Sequence, residues 1–246
     1  MAAFRVADIP ARAINKFRRR ILPVPANINS FLTQVPGVIH VGANLGQERE
    51  EYASLGLNVL WVEPIPSIYE TLCQNISPFP QQRAICALLA AEHGQEYTLH
   101  VADNRGASSS ILDFAKHRAL HPDIHYSSEL RLSSTTLDRV AEAIDLQDYG
   151  ALVIDTQGSE LLVLQGALSV LPRMRYIETE AADFESYAGC CQLSDLTGFM
   201  RSHGFELLHS IPTVRRSGLG SYYEALFENE RTKSKIPASA PDHPRK

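Results

Sequence analysis

Three carboxylates close three runs in this chain: Glu63 ends the apolar residues 58–63, Asp155 follows the apolar residues 151–154, and Glu180 ends the more mixed residues 174–180. Such runs read as buried strands. A carboxylate at a strand end can accept hydrogen bonds from a ligand or take a proton from one. Ahead of all three, residues 38–48 read Val-Ile-His-Val-Gly-Ala-Asn-Leu-Gly-Gln-Glu, an apolar strand breaking into a glycine turn. Glu63 stands 21 residues beyond Gly42. A nucleotide-binding unit places its ribose-binding acid at about that distance from its glycine turn. The other reading of Glu63 is a charge partner for the positive end of the next helix.

The turn narrows the ligand. A dinucleotide site uses Gly-x-Gly-x-x-Gly to bring backbone against a pyrophosphate. Here the pattern is Gly42-Ala43-Asn44-Leu45-Gly46, without a second close glycine. That is a poorer phosphate cradle, and it speaks against a nicotinamide oxidoreductase. It suits a nucleoside with an amino-acid tail, such as S-adenosyl-L-methionine, with Gly42 allowing close approach and Asn44 reaching the tail's carboxylate or amine. Asp155 and Glu180 are then candidates for base or acceptor positioning. Placed close together, each would favour a proton on the other. Asp155 also reads as a cap for the helix that follows it.

These residues need elements to carry them. Strand one covers about 37–42. A helix after Gly46 is expected, with Asn44 and Gln47 as cap and partner and Gly56 as its stop. Ser67 and Glu70 form a capping-box pattern for a second helix. Residues 83–89 read as one strand and 96–103 as another, with 104–134 an irregular polar loop containing Gly106 and Ser108-Ser109-Ser110. Residues 136–144 read as a short helix. Gly158 and Ser159 open a helix whose Leu161, Leu162 and Leu164 face the sheet, and residues 193–203 form a further helix stopped by Gly204. Residues 205–209 and 221–227 have no helix between them, which predicts an antiparallel pair. The fold class expected is α/β: a Rossmann-like, mostly parallel, doubly wound sheet with an antiparallel C-terminal strand pair. Residues 1–36 read as a leader, 37–228 as the catalytic domain and 229–246 as a polar, disordered tail.

Composition sets limits. The chain has 246 residues, 44% apolar and 21% charged, enough for one large domain. A net charge of −5 gives no support to nucleic acid as a partner. No apolar run approaches the ~18 residues of a membrane span. Residues 1–22 hold Arg5, Arg12, Lys16 and Arg18-Arg19-Arg20 without a signal-peptide core. They read as a solvated leader helix, or as a segment touching an anionic membrane surface. Cys73, Cys86, Cys190 and Cys191 lack metal spacing, so reduced thiols in a cytoplasmic protein are expected, with Cys73 and Cys86 in the core. His117, His121 and His125 stand four apart, but Pro122 interrupts them, so surface histidines and no metal are expected.

The chain resembles the FkbM-type methyltransferases from about Gly37 to Phe227. The resemblance rests on residues 41–48, Glu63-Pro64, the serine cluster, Thr136-Leu137-Asp138, residues 154–161 (Ile-Asp-Thr-Gln-Gly-Ser-Glu-Leu), Gly166-Ala167, Glu180 with Tyr187-Ala188-Gly189, Gly204-Phe205 and Ala225-Leu226-Phe227. It implies a class I methyltransferase fold and S-adenosyl-L-methionine as cofactor. The reaction implied is O-methylation of a hydroxyl on a sugar, glycolipid or polyketide-like acceptor. Carried over, Gly42, Asn44 and Gly46 line the methionine side and Glu63 holds the ribose. Asp103 and Ser109 lie near adenine or acceptor, and Asp155 and Gln157 face the reacting centre. The family often has Asp at the position of His40 and Lys at that of Val153. His40 reads as a cofactor contact through a neutral nitrogen or as a packed strand residue. A catalytically silent ligand-binding or scaffold protein of the same fold is the alternative to an enzyme.

Overall fold

The computed structural model describes residues 28–216 and 218–232. The basic segment 1–22 and most of the expected tail lie outside the described residues. Residues 28–34 form a 3-10 helix whose Phe31 and Leu32 are buried. Phe31 packs its ring 5.5 Å from that of Tyr176, so the packed structure begins upstream of Gly37.

In chain order follow β1 (Gly37–Val41), α1 (Arg49–Ser54), β2 (Asn58–Glu63), α2 (Pro66–Ile76), β3 (Gln82–Cys86), β4 (Leu88–Leu89) and β5 (Glu96–Ala102). Then come α3 (His117–Leu120), β6 (Tyr126–Thr135), α4 (Leu137–Ala141), β7 (Ala151–Ile154), α5 (Glu160–Gln165), β8 (Tyr176–Ala182), α6 (Leu193–Ser202), β9 (Phe205–Arg216) and β10 (Gly220–Asn229). Seven strands form one sheet in the order β3-β2-β1-β7-β8-β10-β9. Pairing is parallel from β3 through β8, and β10 joins β8 and β9 antiparallel. This is the α/β, doubly wound, mostly parallel sheet with an antiparallel C-terminal pair.

The central strands read as continuous apolar runs because both faces are covered. One face buries Ile39, Val41, Leu60, Leu152 and Ile154 against Val163, Leu164 and Met200 of α5 and α6. The other buries Val38, Val59, Trp61 and Val153 against Tyr52, Leu72 and Ile76 of α1 and α2. Chain direction away from β1 reverses between β1 and β7, the switch point where such sheets open a crevice.

Several local expectations are corrected. Residues 83–89 form two strands, β3 and β4, which belong to different sheets. Residues 104–134 are not one irregular loop: β6 pairs antiparallel with β5 and parallel with β4 in a second, three-stranded sheet. Neither expected cap exists. Helix α1 has Glu48 at its N-cap without a side-chain bond, and Asn44 and Gln47 instead bond each other at 3.1 Å. Helix α2 starts at Pro66 with Ile65 before it, and the Glu63 carboxylate, not Ser67, takes the Ile65 N–H. On α5 the buried apolar residues are Val163 and Leu164, with Leu161 and Leu162 half-buried. Cys86 is exposed rather than in the core, and Cys73 is half-buried. His117 is buried, not at the surface, with Nδ1 2.8 Å from the Tyr222 hydroxyl.

Candidate active site

Strand register assembles the site. Val62, Val41, Ile154 and Thr179 form one row across β2, β1, β7 and β8. The next residues along those four strands are Glu63, Gly42, Asp155 and Glu180. All four line one cavity above the row, which encloses about 1340 Å³ with its open mouth included. Glu224 of β10, paired directly with Glu180, lines it too.

Gly42 has φ of +81°. A Cβ there would stand 1.9 Å from the Asp155 carbonyl oxygen, so only glycine lets the turn pass the end of β7. The turn sends the Asn44 N–H to Glu63 Oε2 at 2.8 Å, while Ile65 N–H reaches Glu63 Oε1 at 2.9 Å. Burial pushes the Glu63 carboxyl up to about 7, although both backbone bonds pull it down. Its partners are amides, and no Lys or Arg is among the described residues lining the cavity.

His40 is buried, lines the cavity, and sets Nδ1 3.1 Å from the Tyr52 hydroxyl with its ring 4.9 Å from Trp61. Burial raises the Tyr52 hydroxyl well above its ordinary range, which keeps it protonated beside the ring. Asn44 lines the cavity, but its amide also spans outward: Nδ2 donates to the Arg105 carbonyl at 2.9 Å and Oδ1 accepts from Gln47. Ser109 lines the cavity and accepts the Ala102 N–H at 3.0 Å. Gly46 and Asp103 are not among the lining residues. A Cβ on Gly46 would meet Leu72 at 2.8 Å, and Asp103 instead accepts the His125 N–H at 3.1 Å.

Asp155 and Glu180 both accept from the Gln157 amide nitrogen, at 3.2 Å for Glu180 Oε2. Val153 is packed in the core, and the Gln157 amide from the following turn lies against Asp155 at the position where the resemblance noted a frequent strand lysine. Glu160 stands in the 154–161 segment but has no role that its sequence position announces. It is buried and accepts from the N–H groups of Thr156 and Gly158 at 3.0 Å, bracing the turn after Asp155. Burial, with a smaller contribution from the Asp155 charge, raises it to about 7 against the pull of those bonds. Glu178 also lines the cavity; its period-two spacing from Glu180 was the available signal. Among the described residues no group of three His, Cys, Asp or Glu could hold a metal ion.

The Methyltransferase FkbM domain model matches residues 40–207. The chain belongs to the FkbM methyltransferase family. A curated relative, "2-O-methyltransferase NoeI" of Sinorhizobium fredii (strain NBRC 101917 / NGR234), is 23% identical over 185 residues, covering 72% of this chain and 75% of its own. Among solved structures, magnesium protoporphyrin IX methyltransferase (ChlM) from Synechocystis PCC 6803 with bound SAM is 12% identical, with a TM-score of 0.45, covering 90% of this chain and 99% of that one. The putative RNA methyltransferase PH1948 from Pyrococcus horikoshii is 13% identical, with a TM-score of 0.45, covering 89% and 96%. With the family comes the methyl donor S-adenosyl-L-methionine, and the cavity suits it: a buried acceptor carboxylate for hydroxyls, and acidic walls for a cation. No helix among the described residues is long and apolar enough to cross a membrane.

Proposed function

We propose that this methyltransferase acts on oxygen, methylating a hydroxyl of a sugar, glycolipid or polyketide-like acceptor. The observation that carries the reading is the single row that puts Glu63 at one end of the cavity and Asp155 with Glu180 at the other. When bound, the donor supplies a methyl group on a positively charged sulfur, with a neutral thioether as leaving group. Glu63 holds the ribose hydroxyls with the lone pairs its two backbone donors leave over. His40, Gly42 and Asn44 line the methionine side, and Ser109 the adenine side. Asp155 and Glu180 orient the acceptor hydroxyl, and one of them takes its proton as attack proceeds.

The walls also speak to acceptor charge. Glu48, Glu63, Asp155, Glu178, Glu180 and Glu224 line the cavity. Negative potential of that kind repels phosphate, sulfate or carboxylate near the reacting centre. The acceptor we favour is a neutral polyol or one bearing an amine. The printed name of the curated relative, a 2-O-methyltransferase, agrees with oxygen as the accepting atom.

The test follows a labelled methyl group by mass spectrometry from donor into cell-extract acceptors. Wild type is expected to label a hydroxylated, non-anionic compound. Glu63→Ala is expected to lose donor binding in calorimetry. Asp155→Ala is expected to retain binding and lose at least about 100-fold in turnover. Tight donor binding with no labelled acceptor at all would favour a silent binding protein. Unchanged donor affinity in Glu63→Ala would refute the ribose assignment.

A further inference from the structure

Gln157 occupies an unusual backbone position, φ +55°, in the turn that carries Asp155 toward α5. Two distant segments grip it. Ser110, buried, donates to the Gln157 carbonyl at 2.8 Å and accepts the Leu112 N–H at 3.0 Å. Tyr187, 1% exposed, donates its hydroxyl to Gln157 Oε1 at 2.6 Å. The Tyr187 ring lies 5.0 Å from His117 and 5.7 Å from Phe114, and Phe114 and Tyr187 also form a backbone bridge. The ring therefore has little freedom to withdraw.

An amide has two faces of similar shape and opposite polarity. The hydrogen bonds run from Nε2 to Asp155 and Glu180, so the nitrogen is the end that faces the two carboxyl groups. Only Oε1 is then left for Tyr187. Burial holds the Tyr187 hydroxyl protonated, so it remains a donor. We infer that Tyr187 is a positioning residue for methyl transfer: its hydroxyl fixes the Gln157 amide with the nitrogen toward Asp155 and Glu180, so that both carboxylates meet the acceptor hydroxyl in one geometry. The inference rests on the proposed transfer to a hydroxyl at those carboxylates. Without the phenol hydroxyl the amide can turn over and present its oxygen to them, which repels and spreads them.

The test compares Tyr187→Phe, Gln157→Ala and the double variant in the full chain. Side-chain amide signals of Gln157, assigned by their loss in Gln157→Ala, report the amide in ¹⁵N spectra without any need for turnover. Tyr187→Phe is expected to shift and broaden those signals and to lower kcat about tenfold. Donor affinity should stay within twofold of wild type. The double variant is expected to be no slower than Gln157→Ala alone, because both changes act through one amide. Gln157→Glu keeps an acceptor for Tyr187 but no donor for the acids, and should lose kcat as Gln157→Ala does. Unmoved amide signals, wild-type kcat in Tyr187→Phe or Gln157→Glu, or losses that multiply in the double variant would overturn the inference. If wild type labels no acceptor but the amide signals do move, the transfer reading has failed and the Tyr187–Gln157 linkage has not.

Discussion

At pH 7 the Glu63 carboxyl of the free protein divides about evenly between its two protonation states, because burial lifts it to about 7. Ribose hydroxyls donate best to the ionised form. The ionised fraction rises from about one tenth at pH 6 to about nine tenths at pH 8, so donor affinity is expected to tighten about tenfold over that range. Calorimetry across pH checks this, and Glu63→Gln should flatten the curve; a flat curve in wild type would mean that ionisation of Glu63 plays no part in binding. At this scale much of the site was legible. Gly42, Glu63 and Asp155 announce themselves as a break or an acid at the end of an apolar run, and Glu180 as an acid at the end of a predicted strand. Glu160 and Tyr187 do not. Glu160 opens its helix and acts on backbone groups no periodicity reports, and Tyr187 meets Gln157 across 30 positions of sequence.

Among the elements, the motif pieces away from the cavity turn out to be a joint. Asp138 of α4 accepts the N–H groups of Ser169 and Val170 at 2.9 and 3.1 Å, and its own N–H reaches the Gly166 carbonyl at 2.9 Å. A Cβ on Gly166 would stand 2.1 Å from the Ala90 carbonyl oxygen. Asp138→Ala is expected to lower stability by about 1 kcal/mol in urea unfolding, with kcat unchanged. A fall in kcat with stability intact would give Asp138 a role at the reacting centre instead. The central strands were readable because burial on both faces makes them largely apolar. Strand β6 was not: Tyr126-Ser-Ser-Glu-Leu-Arg-Leu-Ser-Ser-Thr lies in a small outer sheet, with few of its side chains buried. The break at Ala87 between β3 and β4 was hidden by unbroken apolar character on either side.

For the molecule as a whole, buried titratable groups set opposing pH limbs. Glu63 and Glu160 are raised from 4.5 to about 7, so the folded state binds their protons more tightly than the unfolded chain. Their stabilising contribution is full below about 4.5 and is lost as pH rises through 7. His117 is lowered from 6.5 to about 4 by burial and by the neighbouring His121. Its contribution is present above 6.5 and is lost as pH falls toward 4. Between about 4.5 and 6.5 the two acids outweigh the one imidazole, so these three groups place the maximum of thermal stability near pH 4, with stability falling from there through pH 7. Glu160→Gln should flatten the alkaline limb and His117→Phe the acidic one. A melting temperature that climbs steadily from pH 6 to pH 8 would contradict the first limb. The sheet type and its antiparallel ending were legible from the order of runs and helices. The second sheet and the buried His117 depend on contacts between distant segments, which local pattern does not carry.

The seam between β1 and β7 has a consequence for how the chain comes into being. Val41 and Ala151 are 110 positions apart, yet their strands are neighbours and the cavity lies over their junction. Pairing of β1, β2 and β3 involves only residues up to Cys86, while closing β1 onto β7 must wait for a long loop to be ordered. On the ribosome, the first strands emerge long before the second wall of the cavity exists. The wall that carries Asp155 and Glu180 is then the last to be made, after the donor's proposed contacts His40, Gly42, Asn44 and Glu63 have left the ribosome.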